Sequence, residues 1–167
     1  SRGLGDVYKR QGGVPVIIRT VRAFLAVEEI DMVYVGIKPD WHDYTDELFE
    51  RFGIDKERVR VIDGGTDRNG TVMNIAEAIV AEHGENEGDI ILTHDAVRPF
   101  VTEKIIRDNI SAMAKHSACG TYMPAADTII RSDGEKVRET LNRSELYQAQ
   151  TPQTFRLGDL RRNYYSL

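Results

Sequence analysis

The feature that most constrains the fold is the short apolar run Ile90–Thr93, which ends directly at His94 and Asp95. A run of this kind is typical of a buried parallel strand, and Pro99 opposes its continuation. In open α/β sheets, ligands bind just beyond the carboxyl ends of the strands. Asp95 and Arg98 would then lie together at that edge, as a carboxylate for a metal ion and a guanidinium for phosphate. The competing interpretation is a surface Asp–Arg pair that closes a loop.

Strand and helix patterns alternate on both sides of this run. β-Branched and aromatic content predicts strands at residues 32–37, 58–62, 90–93 and 118–123. Apolar side chains at helical spacing predict helices at residues 15–25, 41–52, 72–84, 102–113 and 157–167. Alternation of this kind predicts an α/β fold with a parallel sheet, right-handed crossovers and helices on both faces.

Residues 124–146 fall outside this alternation. Two polar strand patterns, at residues 128–131 and 136–139, flank the sequence Ser-Asp-Gly-Glu. Its central Asp-Gly is a strong hairpin signal. We therefore expect a β-hairpin arm that protrudes from the sheet.

Residues 1–11 (SRGLGDVYKRQ) show neither a hydrophobic period nor a core signal. We expect a non-native or disordered leader there, followed by one incomplete domain over residues 12–167.

Composition excludes several classes of function. The net charge of −5 argues against a nucleic acid or an anionic membrane as the main partner. The single cysteine, Cys119, excludes an internal disulfide framework and fits a reducing cytoplasm. No apolar run approaches the ~18 residues that a membrane span needs. We therefore expect a cytoplasmic protein with a small-molecule substrate.

A glycine-rich loop, Gly64–Thr71 (GGTDRNGT), lies between a predicted strand and a predicted helix. Glycine lets the backbone approach a ligand closely, and a helix N-terminus favours an anion. The loop matches neither the Walker pattern nor G-x-G-x-x-G. From the residues alone it is either a ligand loop or a polar loop capped by Asn69 or Thr71.

Residues 142–155 (NRSELYQAQTPQTF) concentrate Gln, Thr and Tyr before a proline. Such a concentration is unusual in a plain connector, and the amide groups suit a ligand or subunit surface.

Three of these sequences together resemble the polyol-phosphate cytidylyltransferases. They are His94–Phe100 (HDAVRPF), Gly65–Asn69 (GTDRN) and Tyr147–Phe155 (YQAQTPQTF). The resemblance runs from about Gly12 to the last residue. Ala96-Val97, Asp67–Asn69 and Asn142-Arg143 look closer to the ribitol-5-phosphate branch than to the 2-C-methylerythritol-4-phosphate branch.

The resemblance implies a Rossmann-like nucleotidyltransferase in which D-ribitol 5-phosphate and CTP give CDP-ribitol and pyrophosphate. The 2-C-methylerythritol-4-phosphate enzyme is the alternative. The family resemblance also implies which residues hold the cytidine. They are Gly65, Thr66, Asp67, Arg68, Asn69, Gly70, Thr71 and Ala96. Asp95 would ligate Mg²⁺. Arg98, Thr128 and Arg143 would hold the polyol phosphate, with Thr128 and Arg143 also catalytic, and the arm would pair with a second subunit to form a homodimer.

The sequence also departs from the family's pattern. The family begins with a strand and a basic glycine-rich loop over the triphosphate, and it ends with a further strand, helix and lysine. Residues 1–11 do not match that loop, so the resemblance implies a chain truncated at both ends, weak or inactive as an enzyme. A non-catalytic nucleotide-binding module is one rival interpretation. An NAD-binding Rossmann domain is the other, and it lacks its G-x-G-x-x-G signature here.

Pyrophosphate release from CTP, Mg²⁺ and the polyol phosphate measures the activity of this chain. We expect slow turnover, because each missing charge clamp on the reacting phosphates can cost ~10² to 10³ in rate. Turnover of ~1 per second or faster would show that other positive side chains of this chain neutralise the triphosphate.

Overall fold

The computed structural model describes residues 4–166. Its α-helices are α1 (Leu4–Val7), α2 (Val16–Leu25), α3 (His42–Arg51), α4 (Arg68–His83), α5 (Glu103–Ala112) and α6 (Leu157–Tyr164). Its strands are β1 (Arg10–Gln11), β2 (Val14–Pro15), β3 (Val33–Ile37), β4 (Val59–Asp63), β5 (Ile90–Thr93), β6 (Ala118–Pro124), β7 (Ile130–Ser132), β8 (Val137–Thr140) and β9 (Tyr147–Arg156). Single turns of 3-10 helix occur at Pro39–Trp41 and Arg143–Glu145.

Strands β3 and β4 pair in parallel, with Val33 opposite Val59 and Ile37 opposite Asp63. Val35 and Ile37 are buried in a core cluster with residues of α2 and α3. Gly36 points to the opposite face, where a methyl group at its Cα would lie 2.3 Å from Cγ2 of Thr71 in α4. The predicted α/β fold, with helices on both faces of a parallel pair, is confirmed.

A second sheet has the order β5-β9-β6, and both of its pairings are antiparallel. The prediction of a wholly parallel sheet is therefore wrong for this part of the molecule. Within residues 142–155, which we expect to serve a ligand or subunit surface, the part from Tyr147 onward belongs to the ten-residue central strand β9. Pro152 and Thr154 are buried within it, and the hydroxyl of Thr121 in β6 donates to the carbonyl oxygen of Pro152 at 2.9 Å.

Helix α2 joins the two sheets. Ile17, Ile18 and Val21 pack in the cluster that contains β3 and β4. Phe24, at the end of the same helix, packs with Ile106 of α5. One amphipathic helix thus packs against both β3 and the part of the core beside β5. Among residues 4–166, every helix is too short or too polar to cross a membrane.

Val7 and Tyr8 pack against the domain and β1 pairs with β2, so the expectation of a separate leader over residues 1–11 is corrected for residues 7–11. Val7 is buried in the first core cluster. The ring of Tyr8 stacks on Trp41, with the ring centres 4.9 Å apart, and its hydroxyl lies 2.7 Å from Oγ1 of Thr45. Two anchoring side chains are too few to produce a hydrophobic period, which is why the sequence pattern gave no signal. Residues 1–3 lie outside the described residues.

The hairpin arm is present as predicted. Strands β7 and β8 pair with each other, from Ile130 opposite Thr140 to Ser132 opposite Val137. Every residue of both strands is exposed. The arm therefore projects from the domain.

We predict that Gly36→Ala destabilises the protein by ~1–3 kcal/mol, because the added methyl group overlaps Thr71 and overpacks the contact between β3 and α4. Gly88→Ala is the matched control, since a methyl group there meets no atom within 4 Å. Urea denaturation measures both variants, and the control should stay within ~0.5 kcal/mol of the parent. Equal stability of the two variants would show that α4 is not seated on Gly36.

Candidate active site

The turn that follows β5 is held from both sides. The backbone nitrogen of Arg98 donates to the carbonyl oxygen of Asp95 at 3.0 Å. The hydroxyl of Thr20 in α2 donates to the carbonyl oxygen of Ala96 at 2.8 Å. The backbone nitrogen of Asp95 lies 3.4 Å from Oγ1 of Thr151 in β9. The position of Asp95 is therefore set by α2, β5 and β9 together.

The carboxylate of Asp95 lies between two guanidinium groups. Its Oδ2 atom is 2.9 Å from Nε of Arg98, and its Oδ1 atom is 3.6 Å from Nε of Arg68 at the start of α4. Nη1 of Arg98 also donates to Oε1 of Gln150 in β9. We call Arg68, Asp95, Arg98 and Gln150 the Asp95 cluster. Asp95 and Arg98 are therefore more than a surface pair that closes a loop. The cluster also contains Arg68 from the glycine-rich loop and Gln150 from residues 142–155.

The charges of the Asp95 cluster do not cancel. Two guanidinium groups face one carboxylate, and all three side chains remain partly open to solvent, Asp95 at 32%. An excess of one positive charge at an open sheet edge attracts phosphate, which arginine can hold through paired hydrogen bonds. The arrangement suits a site where anionic groups meet.

The glycine-rich loop is ordered by its own side chains. Asp67 caps α4, with Oδ1 accepting from the backbone nitrogen of Gly70 at 2.7 Å. Oγ1 of Thr71 accepts from the backbone nitrogen of Gly65 at 3.0 Å. A methyl group at Gly65 would lie 2.5 Å from the carbonyl carbon of Gly70, so the tight turn requires glycine at that position.

The remaining side chains of this loop face solvent. Asp67, rather than Asn69 or Thr71, is the helix cap. Thr66 and Asn69 are exposed, and neither side chain has a hydrogen bond recorded within residues 4–166. These two residues therefore offer short donors and acceptors to a ligand, whereas Asp67 and Thr71 maintain the loop.

A histidine that the sequence reasoning missed stands beside this loop. Nδ1 of His42 in α3 is 2.9 Å from Oδ1 of Asp63, the last residue of β4, and its Nε2 is 3.6 Å from Asp46. The hydrogen bond to Asp63 raises the pKa of His42 above its usual value. Asn74 of α4 donates to the carbonyl oxygen of Asp63 at 3.0 Å. The one sequence signal for this pair was Asp63, a carboxylate placed directly before Gly64-Gly65 at the end of a predicted strand.

His94 is half-buried immediately before Asp95. Its Nε2 atom lies 3.0 Å from the carbonyl oxygen of Arg98, and its ring centre lies 5.1 Å from that of Phe24. The Nδ1 atom is shielded from solvent and has no hydrogen-bond partner among residues 4–166. Burial lowers the pKa of His94, which favours the neutral ring.

Thr128 and Arg143 lie on the arm, apart from the Asp95 cluster. Thr128 is exposed and precedes β7, and Nη1 of Arg143 donates to the carbonyl oxygen of Ala126 at 3.0 Å. Within residues 4–166, no recorded hydrogen bond or ion pair joins either side chain to the cluster. Hydrogen bonds and ion pairs within one protomer therefore connect Arg68, Asp95 and Arg98, and neither arm residue belongs to that network among the described residues.

Asp95 is the carboxylate of the site that fits a divalent metal ion. Among residues 4–166, no group of three or more His, Cys, Asp or Glu residues is placed to hold a metal. Magnesium in nucleotide enzymes is commonly held by one or two carboxylates together with substrate phosphates. Asp95 can supply one such ligand, although its two oxygens also lie 2.9 Å and 3.6 Å from guanidinium groups, and the described residues form no metal cage of their own.

A polar depression of about 940 Å³ lies at the opposite end of β5. Glu85–Gly88, Ala114–Ser117, Arg156 and Arg162 line it. It contains none of the predicted site residues, and it lies away from the carboxyl edge where the Asp95 cluster forms. Size alone therefore does not identify the site.

Known proteins resemble the whole described chain. The family model of 2-C-methyl-D-erythritol 4-phosphate cytidylyltransferase (IspD) matches residues 2–166. The crystal structure of a 4-diphosphocytidyl-2C-methyl-D-erythritol synthase from Anaerococcus prevotii superposes with a TM-score of 0.83 at 28% identity, covering 100% of this chain and 72% of that chain. The Francisella tularensis 2-C-methyl-D-erythritol 4-phosphate cytidylyltransferase gives a TM-score of 0.78 at 25% identity, covering 98% and 75%.

These matches contradict the preference for the ribitol-5-phosphate branch. The matched family and both of these structures are named for methylerythritol compounds. The preference depended in part on Val97, whose side chain is 41% exposed. One apolar side chain at an open position does not by itself distinguish two polyol phosphates. The family match also begins at residue 2, within the segment that we had expected to be a leader.

His42 should make stability depend on pH. Its pKa is raised in the folded state, so its pairing with Asp63 stabilises the fold fully below pH 6.5, the ordinary pKa of histidine. That stabilisation is lost as the pH rises through the raised pKa. Denaturant unfolding of the parent and of His42→Gln, from pH 5.5 to 8.5, should show a stability difference that shrinks with pH. A difference that is constant over this range would rule out the charged pair.

Proposed function

The chain belongs to the 2-C-methyl-D-erythritol 4-phosphate cytidylyltransferase family, whose model matches residues 2–166, and on that premise we propose that it joins CTP to 2-C-methyl-D-erythritol 4-phosphate. The family is one of nucleotidyltransferases. In the proposed reaction, a phosphate oxygen of the polyol phosphate attacks the α-phosphorus of CTP. The bond from that phosphorus to the bridging β-phosphate oxygen breaks. The products are 4-diphosphocytidyl-2-C-methyl-D-erythritol and pyrophosphate.

The observation that carries this proposal is the Asp95 cluster. The reaction brings two anionic phosphates together, so charge neutralisation and positioning dominate its catalysis. Arg68 belongs to the glycine-rich loop, and Arg98 belongs to the turn after β5; both contact Asp95. Two guanidinium groups from different elements thus converge where the two substrates would meet. The attacking phosphate is already anionic and needs no general base.

We propose that the glycine-rich loop holds the cytidine. Gly65 allows the tight turn against Gly70 that shapes the loop, and the exposed Thr66 and Asn69 offer groups for the polar edge of the base. Ala96 is small enough to leave room for the nucleotide beside Asp95. Hydrogen-bonded recognition of this kind rejects other bases, because a wrong base leaves buried polar groups unmatched.

The polyol phosphate is assigned to Arg98, with Thr128 and Arg143 supplied by the arm of a second copy. Arg98 is oriented by Asp95 and Gln150, whereas the two arm residues lie apart from it in one protomer. The surface on and beside the arm exposes large apolar side chains, namely Tyr122, Met123, Ile130, Val137 and Tyr147. Exposed apolar groups in such a number favour a protein–protein contact. A homodimer would complete each site.

We propose that Asp95 holds Mg²⁺ jointly with the phosphates of CTP. The bound ion would neutralise charge on the reacting phosphates and on the leaving pyrophosphate. The protein's own contribution is to hold the carboxylate at the end of β5, through Thr151 and the turn that ends at Arg98. A CTP-dependent reaction and the lone Cys119 also fit a cytoplasmic location.

We predict that Arg98→Ala and Arg143→Ala each lower kcat/KM for 2-C-methyl-D-erythritol 4-phosphate by ~10- to 100-fold, since each removes a charge-assisted hydrogen bond. The KM for CTP should change by less than ~3-fold. Steady-state kinetics with either substrate varied separates the two effects. Arg131→Ala is the control on the same arm, because Arg131 pairs at the surface with Glu139. A loss confined to CTP would place these arginines on the nucleotide side.

Mixing the two variants tests whether the arm acts across subunits. Arg98→Ala and Arg143→Ala chains, coexpressed, should regain up to about a quarter of wild-type activity. In a statistical mixture half of the dimers are mixed, and each mixed dimer has one intact site. If both arginines act within one chain, every site keeps a defect and mixing restores nothing.

A further inference from the structure

We infer that His94 is a positioning residue, which fixes the backbone of Arg98 and thereby aims its guanidinium at the polyol phosphate. The inference rests on the proposed function and extends it to a side chain that is not itself expected to touch substrate. His94 precedes Asp95 directly, and its ring turns inward against Phe24 of α2.

The hydrogen bonds around Arg98 define this role. The carbonyl oxygen of Arg98 can only accept, so Nε2 of His94, 3.0 Å away, must carry the hydrogen. The backbone nitrogen of Arg98 donates to the carbonyl oxygen of Asp95 at 3.0 Å. Both polar groups of the Arg98 backbone are thus held within the same turn. Its side chain leaves that fixed point to contact Asp95 and Gln150.

Packing alone does not explain a histidine at this position. Nδ1 is shielded from solvent and has no partner among residues 4–166. An apolar ring would pack on Phe24 without burying an unpaired nitrogen, which is unfavourable. The side chain therefore serves through its other nitrogen, and that nitrogen bonds to the residue proposed to hold phosphate.

Three substitutions separate the hydrogen bond from the packing. His94→Gln places an amide nitrogen near the position of Nε2 and keeps the donor, although it loses the ring. His94→Phe keeps the ring against Phe24 but loses the donor. His94→Asn keeps an amide group, but the shorter side chain does not reach the carbonyl oxygen of Arg98.

We expect His94→Phe and His94→Asn to raise the KM for 2-C-methyl-D-erythritol 4-phosphate by ~3- to 10-fold, the effect of one hydrogen bond. His94→Gln should stay within ~2-fold of wild type, and the KM for CTP should change by less than ~2-fold in all three. Thermal unfolding of each variant shows that it is folded. If Phe is tolerated better than Gln, the residue acts by packing and the inference is overturned.

A double-mutant cycle tests the route of the effect. If His94 acts through Arg98, then His94→Phe should change kinetics by less than ~2-fold in an Arg98→Ala background. Full additivity of the two substitutions would contradict the inference.

Amide hydrogen exchange supplies a readout that does not need turnover. The backbone amide of Arg98 donates to the carbonyl oxygen of Asp95, so its exchange reports how firmly His94 holds this turn. It should exchange at least ~10-fold faster in His94→Phe than in wild type, and at nearly the wild-type rate in His94→Gln. Unchanged exchange in His94→Phe would overturn the inference even in an active enzyme. Wild-type protein that makes no product would instead count against the proposed function, while exchange would still decide the role of His94.

Discussion

The arrangement of the site depends on one electrostatic interaction, the contact of the Asp95 carboxylate with two guanidinium groups. Arg68 begins α4 and Arg98 ends the turn after β5. Two positive groups brought together at one sheet edge repel each other, and the carboxylate between them offsets that repulsion. The same carboxylate leaves a net positive charge in place for phosphate. The chain's own residues thus assemble a cluster with charge to spare for an anion.

The fold supplies this cluster through two close approaches of the backbone. Gly36 lets α4 lie directly on β3, and Gly65 lets the loop before α4 turn tightly onto Gly70. Antiparallel pairing of β5 with β9 places Gln153 opposite Thr93, so that Gln150 and Thr151 lie near Asp95. Segments far apart in the chain therefore meet at the end of β5.

Much of this arrangement followed from the sequence, because strand–helix alternation and the end-of-strand rule both depend on local patterns. Those patterns gave β3, β4, β5, the helices that pack on them, and the position of Asp95. Strand β9 was missed because its buried residues include Pro152 and Thr154, and Thr154 is satisfied by Asn109 at 3.2 Å. A buried threonine that bonds to a residue far away in the chain interrupts the apolar–polar alternation by which a strand is recognised in a sequence. Val7 and Tyr8 were missed because two neighbouring residues are too few to produce a hydrophobic period.

The substrate preference was wrong because it depended on a few residue identities, such as Val97, and not on a contact that distinguishes the two polyol phosphates. Arg143 and Thr128 pose a different problem, since a single chain does not bring them to the cluster. Under the proposed function their contribution would come from a second copy, and a pattern within one chain carries no information on how two copies meet.

The most direct test of the central claim is product formation by the purified protein and by Asp95→Asn, which keeps the shape of the side chain and removes its charge. ³¹P NMR of CTP, Mg²⁺ and 2-C-methyl-D-erythritol 4-phosphate should show the cytidine diphosphate ester and pyrophosphate appearing slowly and in equal amounts with the wild-type protein. The Asp95→Asn variant should remain folded and be slower by ~10²-fold or more. Undiminished turnover by Asp95→Asn, or no diphosphate ester from the wild-type protein, would contradict the account.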